Sequence, residues 1–104
     1  MKLLDLNILI YAVNRDAVHH SAARKWLESS LNDSEPVALP WVVLLGFVRI
    51  TTNPRIMPNP LSPEQALAVV DGWLSQDCVH VLTAGEEHWR VLKDLLTETG
   101  TAGN

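Results

Sequence analysis

Three short apolar runs punctuate the chain, and each is followed by a stretch with helical spacing. The runs are residues 2–5, 37–39 and 79–82. Strands that alternate with helices in this way close into a parallel sheet covered by helices, because a parallel pairing needs a long crossover. The order predicted along the chain is strand, helix, helix, strand, helix, loop, helix, strand, helix. The fold class expected is therefore α/β, in a single domain spanning residues 1–104.

The helical segments are marked by their own residues. Asp16 to Leu31 places Ala22, Ala23, Trp26, Leu27 and Ser30/Leu31 on one face, with Arg24, Lys25 and Glu28 on the other. Pro40 suits the first turn of the next helix, where a missing N–H does no harm. Trp41 to Thr51 is apolar on nearly every side, with Arg49 as its one charge, so it belongs in a core or a subunit interface. Gly46, in its middle, costs ~1 kcal/mol against alanine, and a close backbone approach is one reason to keep it. Asn53 to Pro60 holds three prolines and must be a loop. Ser62-Pro63-Glu64-Gln65 has the form of a capping box, with the proline at the first helical position. Leu67, Val70, Trp73 and Leu74 are the core stripe expected of that helix. A last helix is expected from about Glu86 to Thr99, opened by the box Thr83-Ala-Gly-Glu86, carrying Trp89, Leu92, Leu95 and Leu96, and closed by Gly100.

Composition excludes several classes. With 47% hydrophobic residues the chain is no disordered segment. No apolar run approaches the ~20 residues of a membrane span, and the amino end lacks the pattern of a secretory leader. The net charge of −4 is not that of a basic nucleic-acid clamp, so a nucleic-acid partner would be held by a local cluster or a metal. The single Cys78 excludes an internal disulfide and a cysteine-rich zinc site, and it reads as a buried structural thiol in a cytoplasmic protein.

Asp5 is the position richest in chemical meaning. It ends the first strand, and ligands of open α/β sheets bind beyond the carboxyl ends of the strands. A partly desolvated carboxylate there seeks a cation, and Mg²⁺ or Mn²⁺ takes such oxygen ligands. The alternative is a turn aspartate that accepts backbone N–H bonds. Asn7 either holds the Asp5 carboxylate from two residues away or is an ordinary turn asparagine. Arg49, Thr51 and Arg55 place guanidinium and hydroxyl groups around a helix end, fit for phosphate oxygens or simply for the helix dipole. His19 and His20 are adjacent and cannot easily share an ion, while His80 and His88 read as structural. Trp26, Trp41, Trp73 and Trp89 all fall at helix positions suited to a core or interface. No phosphate-binding glycine loop, dinucleotide fingerprint, nucleophile elbow or His-Glu-x-x-His is present.

Taken in order, Leu3 to Ala12, His19 to Leu27, Gly46 to Arg55, Pro60-Leu-Ser62 and Glu87-His-Trp89 resemble the PIN-domain ribonuclease toxins called VapC, the toxin halves of type II toxin–antitoxin pairs. The resemblance implies a PIN-like parallel sheet flanked by helices. It also implies Mg²⁺-dependent cleavage of RNA phosphodiesters, restraint by a VapB-like antitoxin, and a homodimer. Asp5 matches the family's first metal-binding acid, and Asn7 its hydrogen-bonding partner. The family's second acid falls at the position of Gly46, and its later acids follow a junction like Gly103-Asn104. On that reading the C-terminal strands and two acids are missing, the metal site is incomplete and the outer edge of the first strand is bare. A different class of function is then open, an inactive PIN module that acts by binding an antitoxin or another PIN chain. Haloacid-dehalogenase phosphatases would need an aspartate where Asn7 stands, and phosphoreceiver domains an acid pair that is absent.

Overall fold

Val37, Ala38 and Leu39 have no exposed surface, and the strand they belong to is the axis of the structure. In the computed structural model, which describes residues 1–83 together with 89, 90, 93, 94 and 97, this strand, β2 (Val37–Pro40), lies between β1 (Lys2–Leu3) and β3 (Val79–Leu82). Both pairings are parallel, with Leu3 opposite Ala38 and Ala38 opposite His80. Side chains alternate between the faces of a strand. Four consecutive buried residues therefore mean that both faces of β2 are covered, as the parallel class requires. The expected α/β fold with a helix-flanked parallel sheet is what forms.

Two helices cross from β1 to β2, α1 (Leu6–Val13) and α2 (His20–Asn32), and two from β2 to β3, α3 (Trp41–Thr51) and α4 (Pro63–Leu74). Among the described residues no helix is long and apolar enough to cross a membrane. Leu4, Leu9, Leu39, Leu44 and Phe47 form the centre of the core. Phe47 meets Trp73 edge-on, with ring centroids 4.7 Å apart at 61°, a geometry that suits the ring quadrupoles. This contact ties α3 to α4 over the sheet.

The punctuation residues act as their chemistry dictates. Ser62 caps α4 by accepting from the Gln65 N–H at 3.1 Å, and Gln65 returns the bond to the Ser62 N–H at 2.9 Å, with Pro63 at the first position. Pro40 closes β2 and serves as the N-cap residue of α3 rather than its first helical residue. The loop after α3 is held by Asn53, whose carbonyl accepts from the Ile56 and Met57 N–H groups.

Several expectations shift by a residue or a face. β1 is shorter than residues 2–5: Leu4 still donates to the Ala38 carbonyl, but Asp5 already stands at the N-cap position of α1, without a side-chain capping bond. As an edge strand among the described residues it leaves Leu3 41% exposed, so it is not a fully buried strand. α2 starts at His20, four residues later than Asp16, because residues 14–19 are spent on turns. Its buried stripe is Ala23, Leu27 and Ser30, spaced four and three apart, which leaves Ala22 and Trp26 exposed. In α4 the buried position is Ala66 rather than Leu67, and Leu74 is also exposed. Of the tryptophans, Trp73 alone is in the core. Cys78 is half-buried, with its thiol 3.5 Å from the Leu31 carbonyl. In the expected last helix, residues 89, 90, 93, 94 and 97 are helical and exposed. Leu92, Leu95, Leu96, His88, Gly100 and the Gly103-Asn104 junction lie outside the described residues.

Beside the N-terminal end of the sheet the Lys2 ammonium donates to Asp33 at 3.2 Å and holds that carboxyl below its usual range, helped by the Ser34 N–H. These groups face water, so the pairing orients the chain end more than it stabilises the fold.

Truncating Phe47 removes its contact with Trp73 and opens a cavity where nothing can collapse easily. Phe47→Ala is expected to lower unfolding free energy by about 3–5 kcal/mol, read by urea denaturation, with little change in the slope.

Candidate functional site

The carboxyl ends of three parallel strands converge at Leu3, Pro40 and Leu82. That is the side on which α/β sheets bind ligands, and Asp5 is on it. Its backbone is extended, at φ −87° and ψ 144°, and its carbonyl begins α1 by accepting from the Leu9 N–H at 3.2 Å. An aspartate in that position ordinarily folds its carboxylate back onto the N–H groups of the first turn. Here it makes no such bond, and among the described residues the exposed carboxylate has no protein partner. Asp5 is thus neither the desolvated acid expected from strand burial nor a turn-capping one. It is a free carboxylate, at a helix start whose dipole favours negative charge.

Asn7 is exposed on the first turn of α1, and its amide makes no hydrogen bond to Asp5. The expected clamp on the carboxylate is therefore absent. Gly46 lies close by. A Cβ built on it would stand 3.2 Å from Leu6 Cδ2, so α1 and α3 approach at the residue that follows Asp5. The close approach suggested by the glycine is real, and it is made by a side chain.

The three phosphate-contact candidates separate. Arg49 is exposed in the last turn of α3, and Arg55 is exposed in the following turn, where its N–H donates to the Asn53 side chain. Thr51 is wholly buried, and its hydroxyl donates to the Phe47 carbonyl at 2.7 Å. Back-bonding of this kind satisfies a buried hydroxyl within its own helix, and it removes Thr51 from any surface that RNA could touch. Thr52, half-buried, does the same toward the Val48 carbonyl.

Of the described histidines, His20 is structural, whereas His80, expected to be structural, faces water. Nδ1 of His20 lies 2.9 Å from the Tyr11 carbonyl, to which it donates, and the His19 ring sits 5.9 Å from the Tyr11 ring. His80 is exposed on β3. Among the described residues no three His, Cys, Asp or Glu side chains come together as a metal cluster. Asp5 is therefore one oxygen ligand without a protein cage. An octahedral hard cation can still be held in that way, through one or two carboxylates with waters and phosphate oxygens filling the rest.

One feature had no signal in the sequence. A groove of about 710 Å³ opens between the C-terminal end of α1, the start of α2 and the first turns of α4. Its walls come from four separate segments, so no local pattern could reveal it.

The sequence pattern of the PIN domain matches residues 2–103. The chain belongs to the PIN-domain family. Relatives cover all of it. Ribonuclease VapC37 of Mycobacterium tuberculosis is 36% identical over 104 residues, which are 72% of that protein. VapC ribonuclease Mb2897 of Mycobacterium bovis is 38% identical over 71% of its length. Ribonuclease VapC33 of Mycobacterium tuberculosis is 38% identical over 73% of its length. The helix-flanked parallel sheet is thus that of a PIN domain similar to VapC proteins.

Gly46→Ala tests how tight the α1–α3 approach is. The added methyl must push Leu6 aside by a few tenths of an ångström, while alanine favours the helix by ~1 kcal/mol. Because Leu6 presents the far end of a flexible side chain, the variant is expected to be as stable as the parent or up to about 1 kcal/mol more stable, measured by thermal unfolding.

Proposed function

We propose that this PIN domain, taken as one unit over residues 1–104, is a divalent-metal-dependent endoribonuclease and the toxin of a type II toxin–antitoxin pair. The observation that carries the reading is the unpartnered Asp5 carboxylate at the strand end. Exposure without a partner leaves it ready for a cation, and relatives named ribonucleases match the whole chain.

In this reading Asp5 holds Mg²⁺, or Mn²⁺ in its place, through an oxygen. The bound ion supplies Lewis acidity, lowering the pKa of a water and neutralising the scissile phosphate. Asn7 presents its carboxamide to the water and phosphate groups beside Asp5. Arg49 and Arg55 meet the RNA backbone through their guanidinium forks, which orient a strand without reading its bases. A VapB-like antitoxin restrains the activity, and the setting is the cytoplasm. A second copy completes a homodimer. The outer side of α3 supports that step, since Trp41, Val42 and Leu45 are 49%, 64% and 47% exposed on a helix that is apolar nearly throughout.

A second reading is favoured by one observation, the isolation of Asp5 from any other ligand cluster among the described residues. An inactive PIN module would bind an antitoxin or a PIN partner without cutting RNA.

The two part in a cleavage assay on single-stranded RNA. The nuclease reading expects cleavage with Mg²⁺ or Mn²⁺ that EDTA stops. Loss of an indirect metal partner typically costs ~10–100-fold, so Asp5→Asn, which removes a direct ligand, should cost at least about 100-fold. Cleavage that survives Asp5→Asn would sink the assignment. A wild-type chain that captures an antitoxin yet never cleaves would establish the binding module instead.

A further inference from the structure

The outer face of α3 is apolar at one end and charged at the other. Val42, Leu45 and Arg49 follow one another at three and four residues, which sets them on one side of the helix beside Trp41, and all four are exposed. Among the described residues the Arg49 guanidinium has no partner. The stripe from Trp41 to Leu45 therefore ends in a free cation.

The free carboxylate stands at the other end of the same helix. β1 and β2 pair with Leu3 opposite Ala38, and the Leu4 N–H continues that ladder to the Ala38 carbonyl. The backbone of Asp5 is still extended, so the register carried two residues on sets Asp5 level with Pro40, the N-cap residue of α3. Neighbouring strands lie ~4.8 Å apart, which puts Asp5 beside the first turn of α3. Arg49 is eight residues beyond Trp41, about 12 Å along the helix axis. One chain thus holds its free carboxylate and its free guanidinium at opposite ends of one helix.

A second copy removes that separation. Two-fold dimers present the same face on both sides. With two α3 helices packed in the same direction, the two Arg49 side chains would meet, like charge against like. Packed in opposite directions about Leu45, each apolar stripe covers the other. Arg49 of one copy then stands level with Trp41 of the other, at the end where Asp5 lies. Charge complementarity favours the second arrangement.

We propose that the site at Asp5 is completed in trans, by Arg49 of a second copy packed antiparallel along α3. The partner's Arg49 reaches the Asp5 end and takes the phosphate of the strand that lies there. A guanidinium fork meets two phosphate oxygens at once, so it fixes the orientation of the group as well as its charge. The proposal rests on the nuclease and homodimer readings above, and adds that neither copy alone carries a whole site.

The test traps the contact without requiring cleavage. In a Cys78→Ser background, Asp5→Cys and Arg49→Cys chains are prepared separately, mixed and treated with a short bis-maleimide. The mixture should give covalent dimers on a denaturing gel. Either chain alone should give few, because antiparallel packing keeps like positions at opposite ends. Adding Leu45→Glu, at the centre of the stripe, should turn the dimer into a monomer in sedimentation velocity and abolish the cross-link. Thermal unfolding of each variant shows that the fold is intact. For activity, Asp5→Asn and Arg49→Ala chains are joined in mixed dimers purified through two different tags. Both parent homodimers should be inactive, while the mixed dimer keeps one whole site and should cleave RNA at about half the wild-type rate. The proposal is overturned if wild type sediments as a monomer, for α3 then faces another protein. It is overturned equally if the mixture does not cross-link, if Arg49→Cys alone cross-links as well as the mixture, or if the Arg49→Ala homodimer keeps the wild-type rate. A mixed dimer as inactive as its parents, beside an active wild type, overturns it too. Cleavage that depends on Asp5 without the cross-link leaves the nuclease reading standing alone. The cross-link without any cleavage by wild type leaves the contact between copies standing and sinks the nuclease reading.

Discussion

Burial of β2 on both faces is the constraint from which the remainder follows. A strand of Val, Ala, Leu and Pro cannot face water on either side, so helices must cover both. Parallel neighbours then force long crossovers, which α1–α2 and α3–α4 supply. All strand carboxyl ends consequently fall on one side. Asp5 is placed there by topology, before any property of its own side chain matters.

The packing of the crossovers decides what can stand around that carboxylate. Leu6 turns toward α3 and meets it at Gly46, where any side chain would compete for the same space. Phe47, the next residue, is committed to Trp73, and Thr51 spends its hydroxyl inside its own helix. The inner side of α3 is therefore structural throughout, and chemistry is confined to its exposed end at Arg49 and the turn at Arg55. A single carboxylate in this setting suits a cation whose remaining ligands come from water and substrate.

Much of the architecture was legible locally. The capping box of Ser62 and Gln65 needs only four residues in sequence, and it forms as its pattern implies. The all-apolar run of Val37 to Leu39 announced a central strand, because no amphipathic element reads that way. Helix faces were less legible. A stripe can begin at Ala22 or Ala23, or at Ala66 or Leu67, with nearly the same periodicity, and the choice depends on where the neighbouring helix lies. The exposure of Trp26 and the burial of Ala66 are tertiary outcomes of that kind.

The sequence by itself determined the fold class, through the alternation of apolar runs and helical stretches along the chain, and it determined the helix boundaries marked by Ser62, Pro63 and Pro40 and the placing of Asp5 at a strand end, since those follow from residues within a few positions of one another. Only the tertiary structure decided that the Asp5 carboxylate lacks a partner, that Thr51 is hidden, and that Arg15, Asn14 and Gln65 share a groove. Those three depend on contacts between segments tens of residues apart. Side-chain accessibility is a property of the packed whole, and no local spacing encodes it.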